Sequence, residues 1–431
     1  MKRGYRLGPA AGTALYLGAV LGPGVLALPA LAARTAGPAS LLAWLFLLCA
    51  SVPVSATFAA LGARYPDGGG VATFAARAFG PRAAAAVGWW FFAAVPVGVL
   101  AAAVIGGRYA ARALGLGDGA VLVTAGLLLG AGFAVNRAGL HVSGRLQLLL
   151  AGLLVLLLLV AVGFSAPGIE PGNFTPFAPH GWWAVGGAAG ALFFAFAGWE
   201  AASHLSGEFA DPGRDLPRVT LWTVAIVGVL YLGLALATVG VLGAEGARSQ
   251  VPLLLLMEEA FGPVALALTS GAALLLTFGA INAYIASGAR LGAALGRDGG
   301  FPRWFDDGTR AGDVPRRSLG VLAGCCAVLG AATAAFGTDL DALLRGTASC
   351  LAAVTVTGTA AAVRLLPGRP LRACAVAASL LVGAVLLFTG ALMALPLLLG
   401  ACALLYVRFG GGAGATGRGG ALSGSGTSAC R

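Results

Sequence analysis

The first strongly apolar stretch of the chain carries Gly22-Pro23-Gly24 at its centre, within "LGPGVLALP". In a helix interior glycine costs about 1 kcal/mol relative to alanine, and proline about 3 kcal/mol, because its ring removes a backbone donor and clashes with the preceding turn. Irregular backbone at membrane depth is tolerated only where protein buries it or a water-filled cavity meets it. The motif therefore predicts a broken membrane helix whose backbone groups are available to a ligand.

The sixth apolar stretch contains a second interruption, in "FFAFAGWEAASH" from Phe193 to His204. Gly198 stands between aromatic residues, and Glu200 follows at membrane depth. Paired interruptions at corresponding positions of two halves point to the binding site of a transporter. A simple kink is the alternative interpretation of either motif taken alone.

The chemistry of such a break suits a zwitterion. The half-helix after the break begins with N–H groups that lack partners and carry about half a positive charge, which favours a carboxylate. The carbonyl groups that end the preceding half-helix favour a cation or an ammonium group. Glycine at positions 22 and 24 allows a ligand to approach the backbone closely. An amino acid presents both charged groups.

Glu200 and His204 are four residues apart and so share one helix face. A charge at the bilayer centre costs at least about 2.5–3.5 kcal/mol, which makes an ionisable residue there a functional candidate. Two roles are open for Glu200: proton coupling, or a structural carboxyl that bonds to the unwound backbone of span one. Histidine changes its charge near neutral pH. His204 is therefore either a second proton carrier or an interfacial residue.

These residues belong to an integral membrane protein of the all-α class. The 431-residue chain is 59% hydrophobic and 10% charged, whereas soluble domains carry about 25% charged residues. With about 20 apolar residues needed for each crossing, the sequence predicts twelve spans. They lie near residues 10–33, 39–62, 84–111, 119–135, 143–164, 183–205, 218–242, 262–290, 318–336, 341–364, 371–389 and 391–408.

The basic residues predict the orientation of these spans. An N-terminus inside the cell leaves only five of the 27 Lys and Arg outside, namely Arg34, Arg108, Arg112, Arg248 and Arg345. Cytoplasmic loops carry the excess of basic residues, so both termini are expected in the cytoplasm of a cell whose plasma membrane holds the protein. The basic residues do not form one patch along the sequence, which argues against nucleic acid. The cysteine spacing indicates no metal site, and we expect no cofactor.

Counting the spans predicts an internal repeat. Spans one and six each begin a run of five, and because five is odd, the second run enters the membrane from the opposite side. Two inverted five-helix repeats follow, at about 10–164 and 183–364, with two additional helices at about 371–408. Residues 409–431 are Gly/Ser-rich and are expected to form a disordered cytoplasmic tail.

Four motifs in order carry a family resemblance: "GPGVLALP", "LGARYPDGGGVATFAARAFGP", "FAFAGWE" and "GEFADPGRDLPR". On these the chain resembles the amino acid–polyamine–organocation superfamily of transporters, up to about residue 408. Within that superfamily it looks most like bacterial exporters of L-methionine and branched-chain amino acids. The resemblance implies a leucine-transporter-like fold, alternating access, and substrate held at the breaks in spans one and six.

The resemblance also implies roles for individual residues. Backbone amides of the first break hold the substrate carboxylate in the family; this chain has a proline at position 23, where many members have a small polar residue, so the contacts fall to later amides. Phe194 matches an aromatic gate, and Glu200 matches the family glutamate. The substrate-binding set predicted from both breaks is Gly22, Pro23, Gly24, Val25, Leu26, Phe194, Phe196, Ala197 and Gly198.

The sequence leaves several alternatives open. The leading expectation is export of apolar neutral amino acids in exchange for protons, by a monomer or homodimer. An uptake permease would use the same fold and site. An integral membrane enzyme is a distant alternative, because it would need convergent acidic or histidine clusters, and His141, His180 and His204 are scattered.

Overall fold

The computed structural model describes residues 9–65, 70–139, 144–200, 209, 211–307, 314–337 and 339–410. Regular structure in this part of the chain is helical. The helices are α1 Pro9–Val20, α2 Leu28–Ala36, α3 Ser40–Arg64, α4 Gly70–Phe79, α5 Pro81–Ala113, α6 Asp118–Arg137, α7 Gly144–Ser165, α8 Trp183–Phe196, α9 Pro212–Arg248, α10 Pro252–Phe261, α11 Val264–Arg297, α12 Arg316–Phe336, α13 Leu340–Leu365, α14 Arg369–Leu387 and α15 Ala394–Gly410. The all-helical membrane class predicted from composition is confirmed.

Ten helices of the described residues are long and apolar enough to cross a membrane. Each corresponds to one of the predicted spans, and the two remaining spans are those with predicted breaks. Span one is divided into α1, of 12 residues, and α2, of 9 residues. In span six, α8 ends after 14 residues, at Phe196. None of these three half-helices is long enough to cross the hydrocarbon alone.

Two long spans, α5 and α11, pack side by side and antiparallel. Glycines permit the close approach: a Cβ atom added at Gly106 would lie 2.8 Å from Oγ1 of Thr277, and one added at Gly288 would lie 2.9 Å from the Cγ atoms of Val95. Near the other end, a Cβ at Gly88 would overlap Leu295. Residue numbers rise along α5 as they fall along α11, so the contacts establish the antiparallel direction.

A duplicated junction begins each of these long helices. The sequence Ala-Phe-Gly-Pro occurs at 78–81 and again at 260–263, and each time its Ala-Phe ends a helix of 10 residues. Gly80 adopts φ 92° and Gly262 adopts φ 66°, a left-handed conformation that favours glycine. Because α5 and α11 are antiparallel, the two junctions lie at opposite ends of the pair. Two inverted repeats would produce this relation, and the repeat boundaries stay a prediction.

The seam between α5 and α11 gives a testable expectation for stability. A Cβ at Gly292 would overlap the Ser318 hydroxyl and lie 2.6 Å from Cε2 of Phe92, whereas nothing lies within 4 Å of one at Gly271, on the same helix. We expect Gly292→Leu to lower the stability by about 1–3 kcal/mol through overpacking. Melting curves of the purified protein would show the loss. Gly271→Leu is the matched control. Equal melting temperatures for the two variants would contradict the close packing of α11 at Gly292.

Candidate functional site

The first break separates α1 from α2. After Val20 the chain becomes extended at Gly22, with φ −93° and ψ 176°. Residues Pro23–Leu26 then form one buried 3₁₀ turn, and α2 begins at Leu28. The helix is thus interrupted at the Gly-Pro-Gly motif, inside the core of the protein.

The turn after the break orients its backbone amides. The Val25 N–H donates to the Gly22 carbonyl at 3.4 Å, and the Ala27 N–H donates to the Gly24 carbonyl at 3.1 Å. Pro23 has no N–H, so Gly24 supplies the first amide of the turn, and the first amides of a helical turn have no acceptor within it. The Gly24 amide is accordingly the group in this turn best placed to receive a carboxylate.

The second break follows α8. Ala197 is extended, with φ −77° and ψ 153°, and Gly198 adopts φ 112°. The buried Glu200 carboxylate accepts a hydrogen bond from the Gly198 N–H at 3.0 Å. Glu200 therefore bonds to unwound backbone of its own span, and both roles predicted for it stay predictions. His204 lies outside the described residues.

The two breaks touch each other through their backbones. A Cβ atom at Gly198 would lie 2.6 Å from the carbonyl oxygen of Ala19, so only glycine fits. The buried Tyr231 hydroxyl lies 3.3 Å from the Val20 carbonyl oxygen and 3.1 Å from that of Ala195. The last turns of α1 and α8 therefore converge on one hydroxyl. Each helix C-terminus carries about half a negative charge, so this convergence favours a positively charged ligand group.

Two further tyrosines bond to the broken segments. The Tyr16 hydroxyl donates to the Trp199 carbonyl at 2.7 Å, and the Tyr109 hydroxyl donates to the Leu26 carbonyl at 2.8 Å. The sequence analysis did not identify Tyr16, Tyr109 or Tyr231, because these tyrosines belong to no motif. A tyrosine within an apolar helix is nevertheless a weak signal, since a buried hydroxyl needs a partner.

The two phenylalanines predicted at the second break have different surroundings. A Cβ at Gly24 would lie 2.6 Å from Cδ1 of Phe194, so the Phe194 ring covers the first break. By contrast, the buried Phe196 ring packs against Trp44 and Tyr231, with ring centres 5.8 Å and 5.3 Å away. The Phe194 ring therefore contacts the first break, whereas the Phe196 ring is held in the core, and the gate role of Phe194 stays a prediction.

A polar vestibule of about 110 Å³ lies beside the α2 end of the first break, next to Ala27 and Leu31. Its charged lining residues are Arg34, Arg108, Arg248, Asp339 and Asp341. Arg34 and Asp339 form an exposed ion pair at 3.4 Å, which joins α2 to the start of α13. The three arginines are among the five that the charge pattern predicts outside the cell. No group of three potential metal ligands occurs among the described residues.

The contact between the breaks predicts opposite effects for two glycines. Gly198→Ala forces a left-handed conformation and a clash with the Ala19 carbonyl, and we expect it to destabilise the protein by at least about 1–3 kcal/mol. Gly22 is extended and a Cβ there meets nothing within 4 Å, so Gly22→Ala should leave the stability unchanged. Thermal unfolding of the two purified variants compares them directly. Similar melting temperatures would show that the breaks do not touch as described.

Removal of one hydroxyl tests the bridge between the half-helices. Tyr231→Phe loses a buried hydrogen bond worth about 0.5–1.5 kcal/mol. Tyr284→Phe, at a residue 41% exposed, is the matched control. We expect a lower melting temperature for Tyr231→Phe only. An equal effect of both variants would contradict the hydrogen bonding of the Tyr231 hydroxyl to the ends of α1 and α8.

Comparisons with known proteins identify the family of the chain. A family model described as amino acid permease matches residues 7–411. The L-methionine/branched-chain amino acid exporter YjeH of Escherichia coli is 34% identical, over 93% of this chain and 96% of the relative. The uncharacterized amino acid permease YecA of Bacillus subtilis is 33% identical, over 93% of this chain and 95% of the relative. The branched-chain amino acid permease BcaP of Bacillus subtilis is 28% identical, over 58% and 57%. The chain belongs to the amino acid permease family of the amino acid–polyamine–organocation superfamily.

Proposed function

We propose that this amino acid transporter exports L-methionine, leucine, isoleucine and valine in exchange for protons, by alternating access. The observation that carries the proposal is the meeting of the two broken helices, where the C-terminal ends of α1 and α8 converge on the Tyr231 hydroxyl. The choice of substrates and direction draws on the similarity to the Escherichia coli exporter of methionine and branched-chain amino acids.

A zwitterionic substrate complements both sides of this site. Its carboxylate binds at the positive end of the turn, where the Gly24 amide is the group best placed to donate because the Val25 amide already bonds to the Gly22 carbonyl. Its ammonium group takes the place opposite, among the carbonyls at the ends of α1 and α8. The side chains of Phe194 and Leu28 both approach Gly24, beside the proposed position of the carboxylate. These apolar groups suit an uncharged aliphatic or thioether side chain.

Glu200 is our candidate for proton coupling. Its carboxylate accepts a hydrogen bond from the Gly198 N–H, at the point where α8 and α1 touch. A protonated carboxyl accepts that bond less strongly than a carboxylate does, so proton binding would loosen the turn that joins the two breaks. The membrane potential supplies about 2.3 kcal/mol per charge per 100 mV, which is ample for an appreciable gradient. His204 is retained as a second candidate from its position in the sequence.

The vestibule lined by Arg34 and Asp339 is the proposed exit to the outside. With both termini in the cytoplasm, this end of α2 and α13 faces away from the cell. An exposed ion pair contributes about 0–1 kcal/mol, so it opens and closes at little cost. The protein is then a multi-pass component of the bacterial plasma membrane.

An uptake permease is the second candidate, since a relative named branched-chain amino acid permease shares 28% identity. Direction follows from coupling and gradients and not from a single side chain. Transport in liposomes of known orientation separates the two. Proton-driven movement of methionine from the cytoplasmic face outward supports export, whereas movement only inward would identify an uptake permease.

The proton role of Glu200 has its own test. We expect Glu200→Gln to abolish acceleration of methionine flux by a pH gradient and to retain methionine–methionine exchange without one, because glutamine keeps the shape but cannot carry the proton. Glu170→Gln, at an exposed position, is the matched control and should behave as the wild type does. A full response of Glu200→Gln to the pH gradient would remove Glu200 from the coupling mechanism.

A further inference from the structure

Arg345 is a charged residue within a membrane span that the transport mechanism described above does not use. It lies in the second turn of α13, a helix long and apolar enough to cross the membrane. Its side chain is only 15% exposed. A charged side chain at such a position is costly and is a functional candidate by default.

The Arg345 guanidinium has one partner on its own helix and one on a neighbouring helix. Its Nε atom lies 2.8 Å from each carboxylate oxygen of Asp341, one turn earlier in α13. Its Nη1 atom donates to the Gly187 carbonyl in α8 at 2.6 Å. Asp341 thus balances the charge and directs the planar fork of donors towards α8. The side chain joins α13 to the half-helix that ends at the second break.

The bond between Arg345 and Gly187 can break without leaving an unpaired charge. The ion pair with Asp341 lies within one helix, so it stays intact when α8 and α13 move apart. The Gly187 carbonyl lies inside α8, where the helix supplies a second donor from the N–H four residues later. Breaking a buried ion pair is costly because it leaves a charge without a partner. The contact between the two helices avoids that cost and so suits repeated opening and closing.

Asp341 connects this contact with the vestibule, since it lines the cavity and also holds Arg345. Two residues earlier, Asp339 forms the ion pair with Arg34 of α2. The first turns of α13 thus contact both broken spans. The side chains of Arg34 and Asp339 are 54% and 56% exposed, whereas those of Arg345 and Asp341 are 15% and 29% exposed. Water and salt screen the Arg345 contact less.

The half-helices α2 and α8 are also joined to each other beside this contact. A Cβ atom at Gly187 would lie 3.7 Å from Cγ2 of Thr35 in α2. The Ala39 N–H, in the turn between α2 and α3, donates at 2.8 Å to the carbonyl of Phe177, in the segment that leads into α8. A bond that holds Gly187 therefore restrains both half-helices against α13.

We propose that Arg345 is a latch of the exit: its bond to Gly187 forms when the vestibule is closed towards the transport site and breaks when the vestibule opens. Arg345 acts through α8, so it is a positioning residue, and Asp341 orients it. The inference rests on the proposed function in one respect, that the vestibule is the exit to the outside. The Arg34–Asp339 pair closes the exposed rim of this exit, and Arg345 closes it at a buried position.

Removal of the latch favours the state that is open to the outside. A protein that spends more time open on one face binds substrate more readily from that face and less readily from the other. The variant is the double substitution Arg345→Met and Asp341→Asn, which removes both charges together. We expect its KM for methionine exchange to fall at the outer face and to rise at the inner face, each by about threefold to tenfold, because one hydrogen bond to a charged group is lost. A loss of stability alone would lower the maximal rate and leave both KM values unchanged.

Two measurements test the latch. Methionine exchange in liposomes of known orientation gives the KM at each face, and hydrogen–deuterium exchange of the purified protein follows Trp183–Phe196 without any substrate. Arg345→Lys keeps a charge and N–H donors, and it should restore the wild-type result in both. The matched control is Arg112→Met, which removes the arginine of another ion pair, 4.0 Å from Glu258, between α5 and α10. It should behave as the wild type does.

We expect deuterium uptake across α8 to be about tenfold faster in the double variant than in the wild type, since local opening there loses one charged hydrogen bond. Unchanged uptake in α8 would overturn the latch, and so would a shift of the two KM values in the same direction. Faster uptake in α8 of the double variant, together with no methionine exchange by the wild type, would support the latch and count against the proposed substrates.

Discussion

The site depends on one close approach, in which the backbone of Gly198 lies directly against that of Ala19. Two helices end there inside the bilayer, where no bulk water can satisfy their last carbonyl groups. Buried tyrosines provide the donors: Tyr231 reaches the ends of both half-helices, and Tyr16 reaches Trp199. The protein thus keeps two interrupted helices stable while leaving polar backbone at membrane depth.

The direction of the half-helices determines the electrostatics of the site. Two C-terminal ends converge from α1 and α8, and one N-terminal turn begins at Pro23. Partial negative and positive charges are consequently built from backbone alone. A ligand with an ammonium and a carboxylate on one carbon matches this arrangement without a charged side chain for either group. In the proposed binding mode, the apolar side chain of the substrate faces Phe194 and its neighbours.

The interruptions could be predicted from the sequence because glycine and proline have strong local effects. Gly22-Pro23-Gly24 and Gly198 mark both breaks, and the ten uninterrupted spans follow from long apolar runs. The duplicated Ala-Phe-Gly-Pro junctions were also present in the sequence, and their significance became clear only from the antiparallel α5 and α11. Local backbone preference accounts for the two breaks, and hydropathy accounts for the membrane spans.

Contacts between distant segments could not be predicted in this way. The family resemblance distinguishes Phe194 from Phe196, but the rings' contacts follow from the rotation of α8: the Phe194 ring covers Gly24, and the Phe196 ring packs against Trp44 and Tyr231. Tyr231 is 211 residues from Val20 in sequence and belongs to no pattern. The partner of Glu200 likewise depends on how the chain turns after Ala197. These contacts depend on how the helices are rotated and shifted against one another, and no local pattern in a single sequence reveals that.

The central claim is that backbone groups of the two breaks hold the carboxylate and the ammonium of an amino acid. Calorimetric binding of L-methionine to the purified protein tests it most directly, beside methionine amide, which lacks the carboxylate, and N-acetylmethionine, which lacks the ammonium. Hydrogen bonds to charged groups contribute about 1.5–3 kcal/mol, so each analogue should bind at least about tenfold more weakly than methionine. Equal affinity for either analogue would contradict the proposed role of that end of the site.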